Sequence, residues 1–361
     1  MIWLEYALFF FASFGMSWLI SRRMHGDSQK WTVYDRKSLP RKQPTSGGMA
    51  IVVPFLIILA VVALFNPLAV NALQKPLVGL LLASFMIAGL GLYDDLRGAN
   101  AGQKIAVQAA AVMVLIVFGM KMEVMTSPFA TSVALGSWGN IFLIVWVVVL
   151  TNAVNLIDGI DGLAAGICLI SSVTLFIIGH IFGENTLAVF SIIIAGGLFG
   201  FIRYNLPPAK IYLGDTGSLF LGFALAAVSV FERRKGTVTV TLLVPVLIMA
   251  VPLIDAALAF FRRVKSGQNP MKGDEGHIHH RLIKLGLTAS QVNFILYLFC
   301  IYLGITAIIL SFLPKETAMV VLILLAIGIL MLLEILRSIE KWTSKAPSTD
   351  TRSKDETSTG D

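Results

Sequence analysis

The feature that most constrains this chain is a series of eleven predominantly apolar runs, each close to the length of a bilayer-crossing helix. They lie at about 2–20, 48–65, 77–93, 104–120, 140–157, 163–182, 187–204, 216–231, 237–261, 292–313 and 317–336. Crossing ~30 Å of hydrocarbon takes ~20 helical residues, whereas a barrel strand needs only ~9–11. Inside a bilayer the backbone finds no water, so a run of this length must close its hydrogen bonds on itself as a helix. The expected fold is an all-α integral membrane protein with about 11 transmembrane helices. Composition agrees: 57% of the residues are apolar and 14% charged, against ~45–50% and ~25% in soluble domains.

The gaps between runs are short. The longest are Ser21–Gly47, Arg262–Gln291 and Arg337–Asp361, which leaves no room for a second soluble domain. Residues 1–336 therefore read as one multi-pass domain and 337–361 as a cytoplasmic polar tail too poor in apolar side chains to fold. The first run carries Glu5 and lacks a basic start and a small-residue cleavage site, so it reads as a retained span rather than a signal peptide. With the N-terminus outside and the C-terminus cytoplasmic, twenty-two of the 28 Lys and Arg fall on the cytoplasmic side, as the positive-inside rule requires. The Arg233-Arg234-Lys235 cluster is the one local exception. The formal charge of +7 suits an anionic membrane surface or a phosphorylated substrate and, in so apolar a chain, no nucleic acid. Cys168 and Cys300 stand far apart inside apolar runs, with no metal or disulfide spacing.

Polar residues gather in four of the cytoplasmic gaps. In the first, Asp94 and Asp95 end one span and Lys104 opens the next; adjacent carboxylates of this kind serve a divalent cation or proton transfer. In the second, Asn152, Asn155, Asp158 and Asp161 recur every three residues. On a helix that spacing makes a polar stripe, and such residues at a membrane rim are costly and functional. In the third, Tyr212-Leu213-Gly214-Asp215-Thr216-Gly217-Ser218 leads into a span, with Asp215 either an N-cap or a metal ligand. The acidic company favours the ligand. In the fourth, His277, His279, His280 and Arg281 fall within five positions. No cysteine accompanies them, and imidazole beside Arg281 and Lys284 suits a diphosphate better than zinc. A further carboxylate, Asp255, lies inside the ninth run just after Pro252, which is expected to kink the helix and free a carbonyl. Carboxylates for Mg²⁺, cations for phosphate and a lipid interface together suit phosphoryl transfer, with the active-site cleft on the cytoplasmic face.

At these motifs the chain resembles the polyprenyl-phosphate N-acetylhexosamine-1-phosphate transferases. The matching stretches are Pro44–Gly48, Asp94-Asp95, Asn152–Gly166, Tyr212–Ser218 and His277–Arg281, in the family's order, and the likeness runs from about residue 30 to 335. The His-Ile-His-His form resembles the WecA/TagO branch, which uses UDP-N-acetylglucosamine. The resemblance implies a bacterial cytoplasmic-membrane enzyme whose polyprenyl phosphate (here undecaprenyl phosphate) attacks the β-phosphorus of the UDP-sugar, releasing UMP. The lipid-diphospho-sugar would begin an envelope polysaccharide such as O-antigen or teichoic acid. It also implies Mg²⁺, with Mn²⁺ as a substitute, held by Asp215 and Asn155. Asp94, Asp95, Asp158 and Asp215 would form the catalytic group. Lys104 would touch phosphate, Asp161 would read uracil, Tyr212 would stack on it, and His277, His279, His280 and Arg281 would hold the diphosphate or the sugar. One departure is in the first loop, where relatives often carry a histidine after an Arg-Lys pair; here Arg36-Lys37 is followed by Ser38-Leu39-Pro40. Other UDP-N-acetylamino sugars, UDP-N-acetylmuramoyl-pentapeptide and pairing into a homodimer stay open. So does a transporter of nucleotide-sugars or organic anions, whose polar residues would sit at the bilayer midplane and for which Asp255 alone speaks.

Overall fold

The computed structural model describes residues 2–26, 45–65, 74–122, 124–125, 133–136, 138–230, 243–267 and 276–345. The first-loop departure at residues 36–40, the basic cluster at 233–235 and the tail from 346 lie outside them.

Among the described residues the chain forms thirteen helices. They are α1 (Ile2–Gly26), α2 (Met49–Phe65), α3 (Gln74–Arg97), α4 (Ala101–Val117), α5 (Trp138–Ile157), α6 (Leu163–Ile181), α7 (Asn185–Asn205), α8 (Gly214–Val230), α9 (Leu243–Ile248), α10 (Ala250–Lys265), α11 (Ile278–Lys284), α12 (Ala289–Leu310) and α13 (Lys315–Lys345). The one departure from helix is a two-residue antiparallel pairing, β1 (Val124–Met125) with β2 (Val133–Ala134). Seven helices are long and apolar enough to cross a membrane, and α2, α4 and α8 are shorter apolar helices. This is a multi-pass membrane protein. Helices α1 to α12 belong to one compact unit, residues 1–315, and residues 316–361 to a second.

Two expectations fail at helix ends. The ninth apolar run is not one helix: it breaks at Met249 into α9 and α10. Pro252 has no N–H to offer the carbonyl of Ile248 four residues back; the Ser171 hydroxyl of α6, which donates to Ile167 of its own helix at 2.8 Å, lies 3.3 Å from that carbonyl. The polar tail was expected to begin at Arg337, yet α13 continues to Lys345. Residues 337–345 contain neither Gly nor Pro, and Arg337 pairs with Glu334 one turn back at 3.2 Å.

The helix that organises the first unit is α8. Every residue from Thr216 to Val230 is buried, as expected of a helix apolar on all faces. Helices α2, α3, α5, α6 and α7 pack around it. Small residues let its N-terminal end be approached at backbone distance. A Cβ on Gly48 would strike the backbone of Gly217, and one on Gly91 would come within 2.5 Å of Thr216 Cα. The same close approach lets Gly47 and Gly48 donate their N–H groups to the carbonyls of Tyr212 (3.0 Å) and Leu213 (2.8 Å). Helix α1 is joined to α7 by Ser13 and Ser17, each donating at 2.7 Å to the carbonyls of Ile193 and Gly197, the kind of contact that holds helices together in lipid. This packing gathers the ends of α3, α5 and α8 at one place.

Candidate active site

Those helix ends enclose a cavity of about 530 Å³. Asp94, Asp95 and Arg97 reach it from the end of α3, and Asn155 from the last turn of α5. Asp158 and Asp161 come from the turn that follows, Tyr212 from the segment before α8, and Asp215 from the first turn of α8. The first three polar clusters of the sequence thus meet in one concavity. Lys104 is outside the lining, but its amine is in ion-pair contact with Asp94 and 3.6 Å from Asp215 Oδ1. Its helix is fixed by a capping box in which Asn100 and Gln103 exchange hydrogen bonds of 2.9 and 3.0 Å. Ala99 N–H donates to Asp94 Oδ1 at 2.6 Å, bracing the turn between α3 and α4.

The two adjacent aspartates do different work. Asp95 accepts from the N–H of Asp215 (2.8 Å), the N–H of Thr216 (3.0 Å) and the Thr216 hydroxyl (2.5 Å). It is the N-terminal cap of α8, supplied by another helix. Asp215 is therefore free of the capping duty that its position suggested. Its carboxylate takes a hydrogen bond from the Asn155 amide, which also donates to Ser218 Oγ at 2.8 Å.

The expected stripe of four polar residues is corrected. Helix α5 ends at Ile157, so only Asn152 and Asn155 share its face. Asp158 and Asp161 stand on a tight turn that closes at Gly162, whose φ of +81° a residue with a side chain rarely adopts. Asn152 bonds Gln108 of α4 at 2.7 Å, a helix-to-helix contact outside the cavity lining. Asp158 is half-buried in the cavity wall, and desolvation first, then the carboxylates of Asp215, Asp95 and Asp161, push its pKa well above the usual carboxylate range. One oxygen of Asp161 accepts from the N–H of Ala209 at 3.0 Å.

The histidine segment does not line the cavity. It touches the site at Gly159: the His279 ring occupies the space that a side chain there would need. Burial, reinforced by His280 and His277, lowers the His279 pKa to about 4, so its ring is neutral at pH 7. Two residues that sequence reasoning passed over hold the same turn. Asn293 of α12 donates to the Asp161 carbonyl at 2.7 Å and Tyr297 to the Gly162 carbonyl at 2.5 Å. Their signal was a polar pair four residues apart within an apolar span, one face of a helix.

Residues 77–232 match the sequence profile of "Glycosyl transferase family 4". A "Probable undecaprenyl-phosphate N-acetylglucosaminyl 1-phosphate transferase" of Bacillus subtilis is 32% identical over 278 residues, covering 77% of this chain and 76% of the relative. The chain belongs to glycosyl transferase family 4. A "Decaprenyl-phosphate N-acetylglucosaminephosphotransferase" of Mycobacterium leprae is 34% identical over 311 residues (77% and 76% of the two chains). A "Phospho-N-acetylmuramoyl-pentapeptide-transferase" of Streptococcus pneumoniae is 34% identical over 206 residues (55% and 62%). The family match takes in all five carboxylates of the cavity. In this family member Asp255, the histidine segment, Asn293 and Tyr297 lie beyond the matched stretch.

Proposed function

We propose that the protein transfers N-acetylglucosamine-1-phosphate from UDP-N-acetylglucosamine to undecaprenyl phosphate, releasing UMP. The carrying observation is the meeting of three acidic helix ends around one cavity, with Lys104 reaching both Asp94 and Asp215. The printed names of the Bacillus and Mycobacterium relatives point to the same sugar phosphate and to a polyprenyl carrier.

The charge balance argues for a cation. Asp94, Asp95, Asp158, Asp161 and Asp215 face a cavity that must admit a diphosphate, and carboxylates repel it. Among the described residues, no three His, Cys, Asp or Glu side chains are gathered so as to hold a metal alone. Mg²⁺ does not need three. It is commonly bound by one or two carboxylates, with substrate phosphates and water completing its shell. The all-oxygen donor set fits it. Asp215 would hold it together with the Asn155 amide oxygen, which stays available while the amide N–H₂ donates to Asp215 and Ser218. When bound, the ion would neutralise charge on the diphosphate.

The chain's own residues then divide the work. Lys104 steers phosphate by charge. Asp94, paired with Lys104, orients the lipid phosphate as its oxygen bonds to the β-phosphorus and the bond to the UMP oxygen breaks. Asp158 stands in the same wall as Asp215 and belongs with it to the catalytic group. Asp161 and Tyr212 hold the uracil end. Asp95 acts through α8, whose first turn carries Asp215. The histidine segment and Arg281 hold the diphosphate or the sugar in this reading. Residues 1–336 form the transferase domain in this reading. The N-terminus is outside and the cavity opens to the cytoplasm, as the distribution of Lys and Arg supports.

The test is a transfer assay on purified protein in detergent with undecaprenyl phosphate and radiolabelled UDP-N-acetylglucosamine. Label should enter the lipid phase only with Mg²⁺, with UMP released in equal amount. Transfer from another UDP-N-acetylamino sugar alone would overturn the sugar, and no transfer from any would overturn the reaction.

A further inference from the structure

Asp255 has no part in the cavity, yet it is a buried carboxylate. Its side chain is 2% exposed. A bare carboxylate there would be prohibitively costly, and both its oxygens are in use. Oδ2 lies 2.7 Å from His277 Nδ1, and Oδ1 accepts the N–H of Ile278 at 2.7 Å. One carboxylate on α10 thus grips both the residue before α11 and the helix's first free N–H. The grip passes onward. The His277 and His279 rings stack in parallel, 5.6 Å apart and 4° from coplanar orientation. His279, buried in turn, fills the space beside Gly159 on the turn that carries Asp158 and Asp161.

We propose that Asp255 is a positioning residue: by holding His277 and the start of α11, it sets His279 against Gly159 and so fixes the acidic turn of the active site. This rests on the transfer reading for its kinetic consequence, while the hydrogen-bonded pair is a separate physical claim. The carboxylate accepts only, so His277 must carry its proton on Nδ1. Asn at 255 keeps the shape but changes the pattern. Its oxygen serves Ile278, its N–H₂ faces the ring, and His277 must move its proton to Nε2, the tautomer exchange by which an isosteric Asp→Asn change disarms a histidine.

The experiment combines kinetics with ring spectroscopy on the full-length protein in detergent. Asp255→Asn should lower kcat for sugar-phosphate transfer by about 10–100-fold, as losing a residue that orients others does, with KM for undecaprenyl phosphate unchanged. Placed in a His277→Ala background, the same change should add no further loss. In ¹⁵N-histidine spectra, the resonance removed by His277→Gln should be that of an Nδ1-protonated ring. Wild-type kinetics in Asp255→Asn, or equal losses in both backgrounds, would overturn the proposal. So would an unprotonated His277 Nδ1, which decides the matter alone should Asp255→Asn fail to accumulate. A wild type that transfers nothing defeats the transfer reading instead, and the spectrum still decides the pair.

Discussion

The acidic wall of the cavity and the histidine side behind it are built on opposite principles. On the wall, the carboxylates of Asp94, Asp158 and Asp215 share a small space, with Lys104 in reach of two of them. One lysine does not balance three carboxylates, and an incoming cation or a proton relieves the remainder. On the other side, Asp255 is answered by two donors, and Asn293 and Tyr297 each spend their donor on a carbonyl of the turn. Both regions are polar islands in an apolar chain. The difference teaches that in a membrane protein a buried polar group marks either the chemistry or the scaffold that aims it, and its partners tell which.

The comparison breaks most directly at Asp215. Asp215→Asn keeps the volume and removes the charge, and transfer should fall by at least about 100-fold, the scale of losing one aimed electrostatic group. The protein should still elute as a folded species in detergent. Label transfer into lipid is the readout, and near-normal turnover would remove Asp215 from the reacting set. The neighbouring aspartates sharpen the same contrast. Asp95→Ala removes three hydrogen bonds from the start of α8. It should cost about 1–2 kcal/mol of stability as a lost helix cap, seen as a lower Tm, with activity falling as a consequence. Asp94→Ala should lower activity with a smaller change in Tm. Equal thermal losses in the two would mean that the pair acts as one unit.

Sequence reasoning located the wall better than the scaffold behind it, for a physical reason. Among the described residues the apolar runs fall largely on helices, the ninth on two, because hydrocarbon leaves the backbone no other way to satisfy itself. Asp94, Asp95, Asp158, Asp161 and Asp215 stood out because carboxylates at a membrane rim are costly. What the residues could not reveal was who faces whom. Asp95 reads like Asp94, yet its partners are 120 residues away on α8. A three-residue spacing read as a helical stripe, but α5 ends at Ile157 and the chain turns through Gly162 at positive φ into α6. Asp255 was the one residue that spoke for a transporter, and nothing in its own sequence surroundings points to its partners His277 and Ile278. Asn293 and Tyr297 carried a four-residue spacing that was legible, but their partners are carbonyls, which every residue has.

A gentler break lies at α12. Tyr297→Phe removes only the hydroxyl that donates to Gly162. Leaving that buried carbonyl without its donor should cost about 1 kcal/mol and lower Tm modestly. If the turn is aimed by this bond, KM for the UDP-sugar should rise while KM for the lipid stays put. A rise in both would make Tyr297 part of general packing.

The smallest expected effect is a dependence on pH carried by His279. Its pKa in the folded protein is lowered to about 4, against ~6.5 in an unfolded chain. Between those values the unfolded chain binds the extra proton and the folded one does not. Stability therefore rises with pH across that window and is lost as pH falls from about 6.5 toward 4. Above about 6.5 both states are neutral at this residue and it contributes no slope. Thermal melts in detergent from pH 7 to pH 4.5 should show the Tm of the wild type dropping relative to that of His279→Gln, which cannot take the proton. Acidic groups contribute to both proteins alike, so the difference between the two curves isolates the histidine. Parallel curves would mean that His279 takes up its proton without leaving the space beside Gly159, and the neutral ring would no longer be part of how the turn is held.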